Sequence, residues 1–515
     1  MIMKVIQSNN KVSHKRALMS ILLLFITVIT FARLVVHPYD FSEANDDGVM
    51  LYYHYLDSNR CEVVPGPEKY KGVITIPSKA NHERFSVVGI GVMSFQSCHE
   101  LEELYLPNTL QYIDTLAFSH CDNLRKVNVG NSLELIADEA FCDCTELSSI
   151  NIPQSLKYVG FWAFVGCTKL LEPLYNDKFF FYYPAERIED EGQTYVVPDG
   201  IETIGVSAFN SSYISKVVLP QSLRTISDYA FMRSLIQEMD MPDSLDSIGY
   251  RPFFEMGLRK AVLPASIKKV GNDVFYRCGM LREVDIKAPW DCIPAMFFAG
   301  CSSLKEVTYP ETVHKICEGA FSTCDSLRHL PDLSHIDTIE YAAFARCSVL
   351  ESISIPSNVV EISEGAFAIC AMLKHVELDN GIRTIGNMAF GYCPSLGSIV
   401  IPPSVTYIGN GAFRDCGRLK DVYVNWQTPL SLDSEIIDKE HLDLGVTLHV
   451  PPGTVELYTN APFWCNFTCI TDDMSGIGAI DNTYVKTRKF NLQGRPIHGS
   501  PKHGVYILNG KKVMK

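Results

Sequence analysis

Seventeen cysteines and fourteen histidines are the residues of this 515-residue sequence best suited to metal ligation, disulfide exchange or nucleophilic attack. Spacing decides which of these is plausible. Eleven of the cysteines, Cys98, Cys121, Cys144, Cys167, Cys278, Cys301, Cys324, Cys347, Cys370, Cys393 and Cys416, each follow a phenylalanine by three residues, mostly at intervals of 23. A zinc site needs clustered spacings such as C-x-x-C, which this regular interval does not provide. Thiols stacked in parallel also point the same way and do not readily meet the dihedral of a disulfide. In these eleven turns the next apolar run begins six residues after the phenylalanine. It begins after five where Ser212, Ser234 or Met256 replaces the cysteine. Cysteine and the additional loop residue occur together, so the thiol is read as a small buried group that fills the longer loop and hydrogen-bonds its backbone. Of the other six, Cys61, Cys142, Cys292, Cys317, Cys465 and Cys469, only Cys465 with Cys469 is a pair to check for a bridge.

The remaining chemistry is sparse. His314, His329, His335 and His375 are scattered singly and read as surface residues. No H-E-x-x-H, G-x-S-x-G, Walker loop or dinucleotide glycine fingerprint is present, and Gly89-Ile90-Gly91 lacks a third glycine. The sequence therefore predicts no catalytic residue, no cofactor and no metal. A net charge of -14 opposes nucleic-acid binding, which rests on a basic face that displaces counterions.

The element that positions the cysteines is a repeat. Its phenylalanine recurs at Phe95, Phe118, Phe141 and Phe164, then at Phe209, Phe231, Phe253, Phe275, Phe298, Phe321, Phe344, Phe367, Phe390 and Phe413. The one long step, from Phe164 to Phe209, equals two ordinary steps, so one turn has lost the signature and kept the register. The unit from Leu350 reads Leu350, Ile353, Ile355, Pro356, Val359, Ile362, Ala366, Phe367, Cys370. Alternation at Ile353 and Ile355 predicts a strand, and Pro356 ends its pairing because it has no N-H. The Ala-Phe segment is a compact turn or short helix on the other side. No unit buries its apolar side alone, so neighbours must stack. The fold class is an α/β repeat solenoid: a leucine-rich-repeat array of stacked parallel strands, with short turns or helices opposite and β-hairpin-type caps.

Residues 1–32 carry Lys4, Lys11, Lys15 and Arg16 ahead of an apolar run from Ala17 to Phe31, the layout of a secretory signal. The alternative, an uncleaved anchor, is disfavoured by a run shorter than a membrane-spanning helix prefers, and no later segment resembles a span. Residues 33–88 read as an N-terminal β cap, 89–424 as the solenoid, 425–472 as a C-terminal cap around Phe463, Trp464 and Phe467, and 473–515 as a linker and short β-rich tail. Within the solenoid, residues 170–200 form an irregular turn. Its aromatic runs Phe179–Tyr183 and Tyr195–Val197, around an acidic loop, predict a hairpin.

The pattern L-x-x-I-x-I-P followed by I-G-x-x-A-F-x-x-C, as from Leu373 to Cys393, resembles the BspA-like leucine-rich-repeat family of bacterial surface proteins. The resemblance implies a secreted or surface-exposed solenoid, some relatives of which bind host matrix proteins or other bacteria. The face free to bind is the exposed side of the parallel strands, where Tyr105, Asn128, Asp285 and Tyr423 fall at central slots. Arg125, Lys126, Arg259, Lys260, Arg282 and Lys305 flank them, and no single-sign stripe emerges. A flat mixed face suits a protein partner better than a small molecule. A structural spacer on the cell surface is the alternative.

Overall fold

Side chains two residues apart share one face of an extended segment. The computed structural model accordingly folds Ser352–Ile355 as a strand with Ile353 and Ile355 buried. The structure describes residues 35–185 and 187–475 and the strands Lys489–Phe490, Val505–Leu508 and Lys511–Met514. The expected signal, residues 1–32, lies outside the described residues. The chain divides into two compact units, one of residues 1–189 with 200–212, the other of 190–199 with 213–515.

In the first unit, Phe41–Ala44, Met50–Tyr55 and Arg60–Val63 pair antiparallel. Arg60–Val63 then pairs parallel with Phe85–Ile90, from which a parallel ladder continues through Tyr112–Ile113, Leu135–Ile136 and Tyr158–Val159. A second ladder runs through Lys71–Thr75, Glu100–Tyr105, Lys126–Asn128 and Ser149–Ile150. The second unit repeats the arrangement. One set of strands includes Lys260–Leu263, Glu283–Ile286 and Glu306–Thr308. The other set includes Cys292–Ile293, Lys315–Ile316, Thr338–Ile339, Glu361–Ile362, Thr384–Ile385 and Tyr407–Ile408. Most repeats thus contribute two short strands where the sequence suggested one, because the second is only two residues long and shows no alternation to read; the turn between Phe321 and Phe344 contributes only Thr338–Ile339.

The irregular turn corrects the predicted hairpin. Phe179–Tyr182 pairs antiparallel with Leu174–Tyr175, not with the run at Tyr195. Asn176 makes that tight reversal: its Oδ1 accepts the N-H groups of Lys178 at 3.0 Å and Phe179 at 2.9 Å, an Asx turn. Thr194–Val196 instead runs parallel to Lys216–Val218.

Opposite the strands the chain makes successive turns, and the described repeats contain no α-helix. Left-handed residues two before and two after each repeat phenylalanine interrupt helical φ. Leu116 (φ 58°) and His120 (φ 59°) flank Phe118, and Gly319 (φ 58°) and Thr323 (φ 61°) flank Phe321. A non-glycine residue held there costs on the order of 1 kcal/mol. What offsets it is pairing between turns. Gly319, Phe321 and Thr323 donate their N-H groups to Tyr341, Ala343 and Ala345 of the next turn at 2.8–2.9 Å, each such bond contributing about 1 kcal/mol net.

These turns hold the phenylalanines in columns. Rings of the first unit stack at 5.0, 5.1 and 5.5 Å from Phe95 to Phe164. Those of the second unit include Phe321 and Phe344 at 5.0 Å and Phe367 and Phe390 at 5.6 Å. In the irregular turn Tyr182 lies 5.7 Å from Phe164, and Phe180 lies 4.7 Å from Phe209. Aromatic substitutes therefore keep the register where the signature is lost. Near the end of the second unit Trp464 and Tyr458 are fully buried. Trp464 Nε1 donates to the Leu430 carbonyl at 2.7 Å, and Tyr458 Oη to that of Trp426 at 2.8 Å.

Truncating Phe321 to Ala should cost about 3–5 kcal/mol, read by denaturant unfolding; a loss under 1 kcal/mol would show that the column does not hold the turns. Ile369 is β-branched, exposed and left-handed (φ 62°). Ile369→Gly should raise stability by up to about 1 kcal/mol, because relief of the backbone exceeds the entropy of glycine. A net loss would show that the turn is not strained.

Candidate functional site

The parallel strands present alternate side chains outward, and the sequence-predicted residues fall into two clusters, one in each unit. In the first unit the register sets Glu103 opposite Lys126 and Tyr105 opposite Asn128. Arg125 Nη2 donates to Glu102 Oε2 at 2.6 Å and lies 3.8 Å from Glu103 Oε1. Tyr105 Oη donates to Glu103 Oε2 at 2.9 Å, and Lys126 Nζ sits 5.7 Å from the centre of the Tyr105 ring. Arg125, Lys126 and Asn128 are exposed and Tyr105 half-buried. Exposed pairs of this kind contribute about 0–1 kcal/mol, so stability constrains the face weakly.

In the second unit Lys260 faces Glu283 in register and pairs with it at 3.1 Å. Asp285 is half-buried, and its Oδ1 accepts the Thr308 hydroxyl at 2.6 Å. Arg259, Arg282 and Lys305 occupy the same slot of consecutive turns. The Arg282 N-H donates to the Arg259 carbonyl, and the Lys305 N-H to the Arg282 carbonyl, both at 2.9 Å. Adjacent parallel strands are about 4.8 Å apart, so three exposed cations form one short column. None of the three makes an ion pair among the described residues. This corrects the reading that no single-sign stripe exists. The sequence alternates Arg259-Lys260, Arg282-Glu283 and Lys305-Glu306, and only the register separates the basic slot from the mixed slot beside it.

Tyr423 is a second correction. It is only 5% exposed, because the strand Thr447–His449 adds to Asp421–Val424 and sets His449 opposite it. The two rings stack at 4.1 Å. His449 Nε2 lies 3.0 Å from Asp421 Oδ1, and its Nδ1 lies 2.7 Å from the Asp473 carbonyl. Tyr423 therefore belongs to the packing and not to the binding face. Leu448-His449-Val450-Pro451 keeps the strand-and-proline pattern of the repeat, but its turn lacks the repeat phenylalanine, so from sequence the segment reads only as part of the closing cap.

The thiols of the repeat are built into the backbone. Cys121, Cys144 and Cys167 each donate at 3.1 Å to the carbonyl of the phenylalanine one turn earlier. In the second unit Cys278 does so to Phe253 at 2.8 Å and Cys347 to Phe321 at 3.3 Å. The same carbonyl can also accept the N-H three residues on, as Phe118 does from Cys121 at 3.2 Å and Phe275 from Cys278 at 3.0 Å. Burial pushes the Cys278 and Cys347 thiols up to about 12 from an ordinary 9.0, which keeps them protonated donors and poor nucleophiles. Cys465 and Cys469 are both exposed and unbridged. No cluster of three or more metal-ligating side chains occurs among the described residues. His314, His329 and His335 are exposed and His375 is half-buried; burial and then the Lys374 charge lower the pKa of His375.

Comparison with known proteins matches residues 82–180, 202–328 and 329–429 to the BspA type leucine rich repeat region, in six copies. Among solved structures, a leucine-rich repeat protein from Bacteroides ovatus is 26% identical over 75% of this chain and 95% of its own, with a TM-score of 0.45. A leucine rich cell surface protein from Faecalibacterium prausnitzii is 22% identical over 75% of this chain and 89% of its own, with a TM-score of 0.35. The pneumococcal vaccine antigen PcpA is 18% identical over 67% of this chain and 98% of its own, with a TM-score of 0.33. No curated protein matches the chain.

A pH prediction follows from the thiols. Their folded pKa is raised, so the stability they contribute is fully present below about pH 9, where unfolded thiols are still protonated. It is lost as pH rises from 9.0 towards 12, at about 1.4 kcal/mol per pH unit for each such thiol. Denaturant midpoints should therefore fall steeply between pH 9 and 11, and substituting Cys278 and Cys347 by Ala should flatten that fall. Equal slopes in the two proteins would count against buried, protonated thiols.

Proposed function

The chain belongs to the BspA-type leucine-rich-repeat family, and on that premise we propose that it is an exported, surface-exposed solenoid that binds a protein partner and catalyses no reaction of its own. Export is supported by the basic and then apolar order of residues 1–32. No helix among the described residues is long and apolar enough to cross a membrane. The partner class is a matrix protein of a host or a surface protein of another bacterium.

The observation that carries the binding reading is the column Arg259, Arg282 and Lys305, three exposed cations without ion-pair partners on a chain of net charge -14. Several other cations of the strand face are met by carboxylates, as Lys260 is by Glu283 and Lys216 by Glu238. A column left unneutralised suits a partner that presents carboxylates, and arginine is favoured at recognition surfaces for its fork of donors. Its flat setting offers area to a protein and little enclosure to a small molecule. The cluster of Tyr105, Arg125, Lys126 and Asn128 is a second, internally neutralised patch for contact at lower charge.

Captured partners from host matrix and bacterial surface preparations supply the test. Replacing Arg259, Lys260 and Arg282 together by Ala should weaken binding about tenfold or more, roughly 1.4 kcal/mol. The melting temperature should stay within about 2 °C, since exposed charges contribute little to stability. Raising ionic strength from about 0.05 to 0.5 M should narrow the difference between variant and parent. Unchanged affinity would remove the column from the binding face, and failure to capture any partner by a displayed protein would favour a spacer.

A further inference from the structure

The last rungs of the second unit close on a histidine. Thr447–His449 pairs parallel with Asp421–Val424 on one side and with Cys469–Thr471 on the other, and Cys469–Thr471 is the edge of that sheet. His449 stands on the middle rung, 9% exposed, with its ring stacked on Tyr423 at 4.1 Å. Its two nitrogens engage the rungs on either side. Nε2 lies 3.0 Å from Asp421 Oδ1, and Nδ1 lies 2.7 Å from the Asp473 carbonyl, two residues past Thr471. Both partners are acceptors, since neither a carbonyl nor an ionised carboxylate has a proton to give. A neutral imidazole carries one N-H, so it satisfies one partner and turns a lone pair on the other. Only the imidazolium donates to both.

We propose that His449 is a pH-operated clasp: protonated, it fastens the edge strand Cys469–Thr471 and the start of residues 473–515 to the array, and on losing its proton it lets them go. The strand is poorly anchored by burial, because Cys469 is exposed, Ile470 and Thr471 are half-buried, and it has a neighbouring strand on one side only. The Val450 N-H donates to the Thr471 carbonyl at 2.9 Å, and the Gly453 N-H to Asp472 Oδ2 at 3.3 Å.

The direction of the switch follows from counting protons. The ring faces Asp421 on the rung before, Tyr423 beneath it and Asp473 on the rung after. Two hydrogen bonds from Ser475 hold the Asp473 carboxyl below its ordinary range, with the His449 charge acting the same way, so Asp473 stays ionised while the ring takes its proton. His441, the other histidine of these closing turns, is engaged elsewhere, its Nε2 lying 2.9 Å from the Leu419 carbonyl. The closed form keeps a proton that the open form releases. Rising pH therefore opens the clasp and acid closes it, over the range in which histidine side chains exchange their proton.

Amide hydrogen exchange of the full chain tests this, with each rate divided by that of the unfolded chain at the same pH. Protection of residues 466–473 should be at least about tenfold higher at pH 5.5 than at pH 8.0, the ratio expected for loss of a hydrogen bond to a charged group. Protection of Ser398–Ile401, in the same unit, should not change, because the buried thiols respond only above about pH 9. Asp421→Asn supplies an N-H to Nε2 of the neutral ring, whose Nδ1-H keeps the Asp473 carbonyl. This variant should hold the acid level of protection at both pH values. His449→Gln should be weakly protected at both. Equal protection of the parent at pH 5.5 and 8.0 would overturn the proposal, as would an undiminished pH dependence in either Asp421→Asn or His449→Gln, which would place the titrating group elsewhere.

Discussion

A single turn of this chain cannot complete its own hydrogen bonding. The N-H groups of most repeat phenylalanines, and of most left-handed residues two places to either side, find acceptors in the following turn, as Phe118 does in Ala140 at 2.8 Å and Phe344 in Ala366 at 2.8 Å. Buried backbone groups left unpaired cost about 1–3 kcal/mol each, so an isolated unit would be strained, unpaired and apolar at once. Everything else in each compact unit serves this dependence on the neighbour. The phenyl rings set the spacing, the thiols take the second lone pair of the phenylalanine carbonyls, and the short strands pair the remaining backbone.

The same dependence explains what could be read in the residues and what could not. Phe367, Cys370, Ile353 and Ile355 announce themselves because burial in every turn selects a residue type at a fixed position. The left-handed positions do not, because what they require is a backbone angle. Pairing with the next turn enforces that angle on Leu116, Glu139 or Ile369 as readily as on glycine. The second ladder was hidden for a related reason: Thr384–Ile385 offers one buried side chain and no period. Pairing partners were harder still. Nothing in the residue types at Leu174 and Phe179 outweighed the more obvious aromatic run at Tyr195, although Asn176 was the turn residue that decided the matter.

The binding face shows the reverse relation between sequence and structure. Its side chains are outside the core, so their identities are visible, but their arrangement appears only once the register is fixed. Arg259, Arg282 and Lys305 became a column because consecutive turns superimpose the slot before each strand, and Tyr423 dropped out because an unanticipated rung covered it. A repeat therefore makes surface positions countable from sequence, up to the point where the repeat signature ends. Beyond that point, as at Thr447–His449, exposure follows from packing that no periodicity reports.

The choice of cysteine over serine in the longer loops has a physical reason in the same geometry. Ser212 and Ser234 occupy the equivalent position in two of the short loops, where they are buried with hydroxyls that have no hydrogen-bond partner among the described residues. A hydroxyl so placed forfeits its hydration, at about 1–3 kcal/mol. A thiol is less strongly hydrated, and its longer C-S bond carries the donor nearer to the preceding turn, as the contacts of 2.8 to 3.4 Å in the other turns show. Loop length and side chain therefore vary together: the added residue opens space that sulfur fills and oxygen would leave partly empty. In an oxidising setting such a column would be a hazard if its thiols could meet. Their parallel stacking and protonated state oppose bridging.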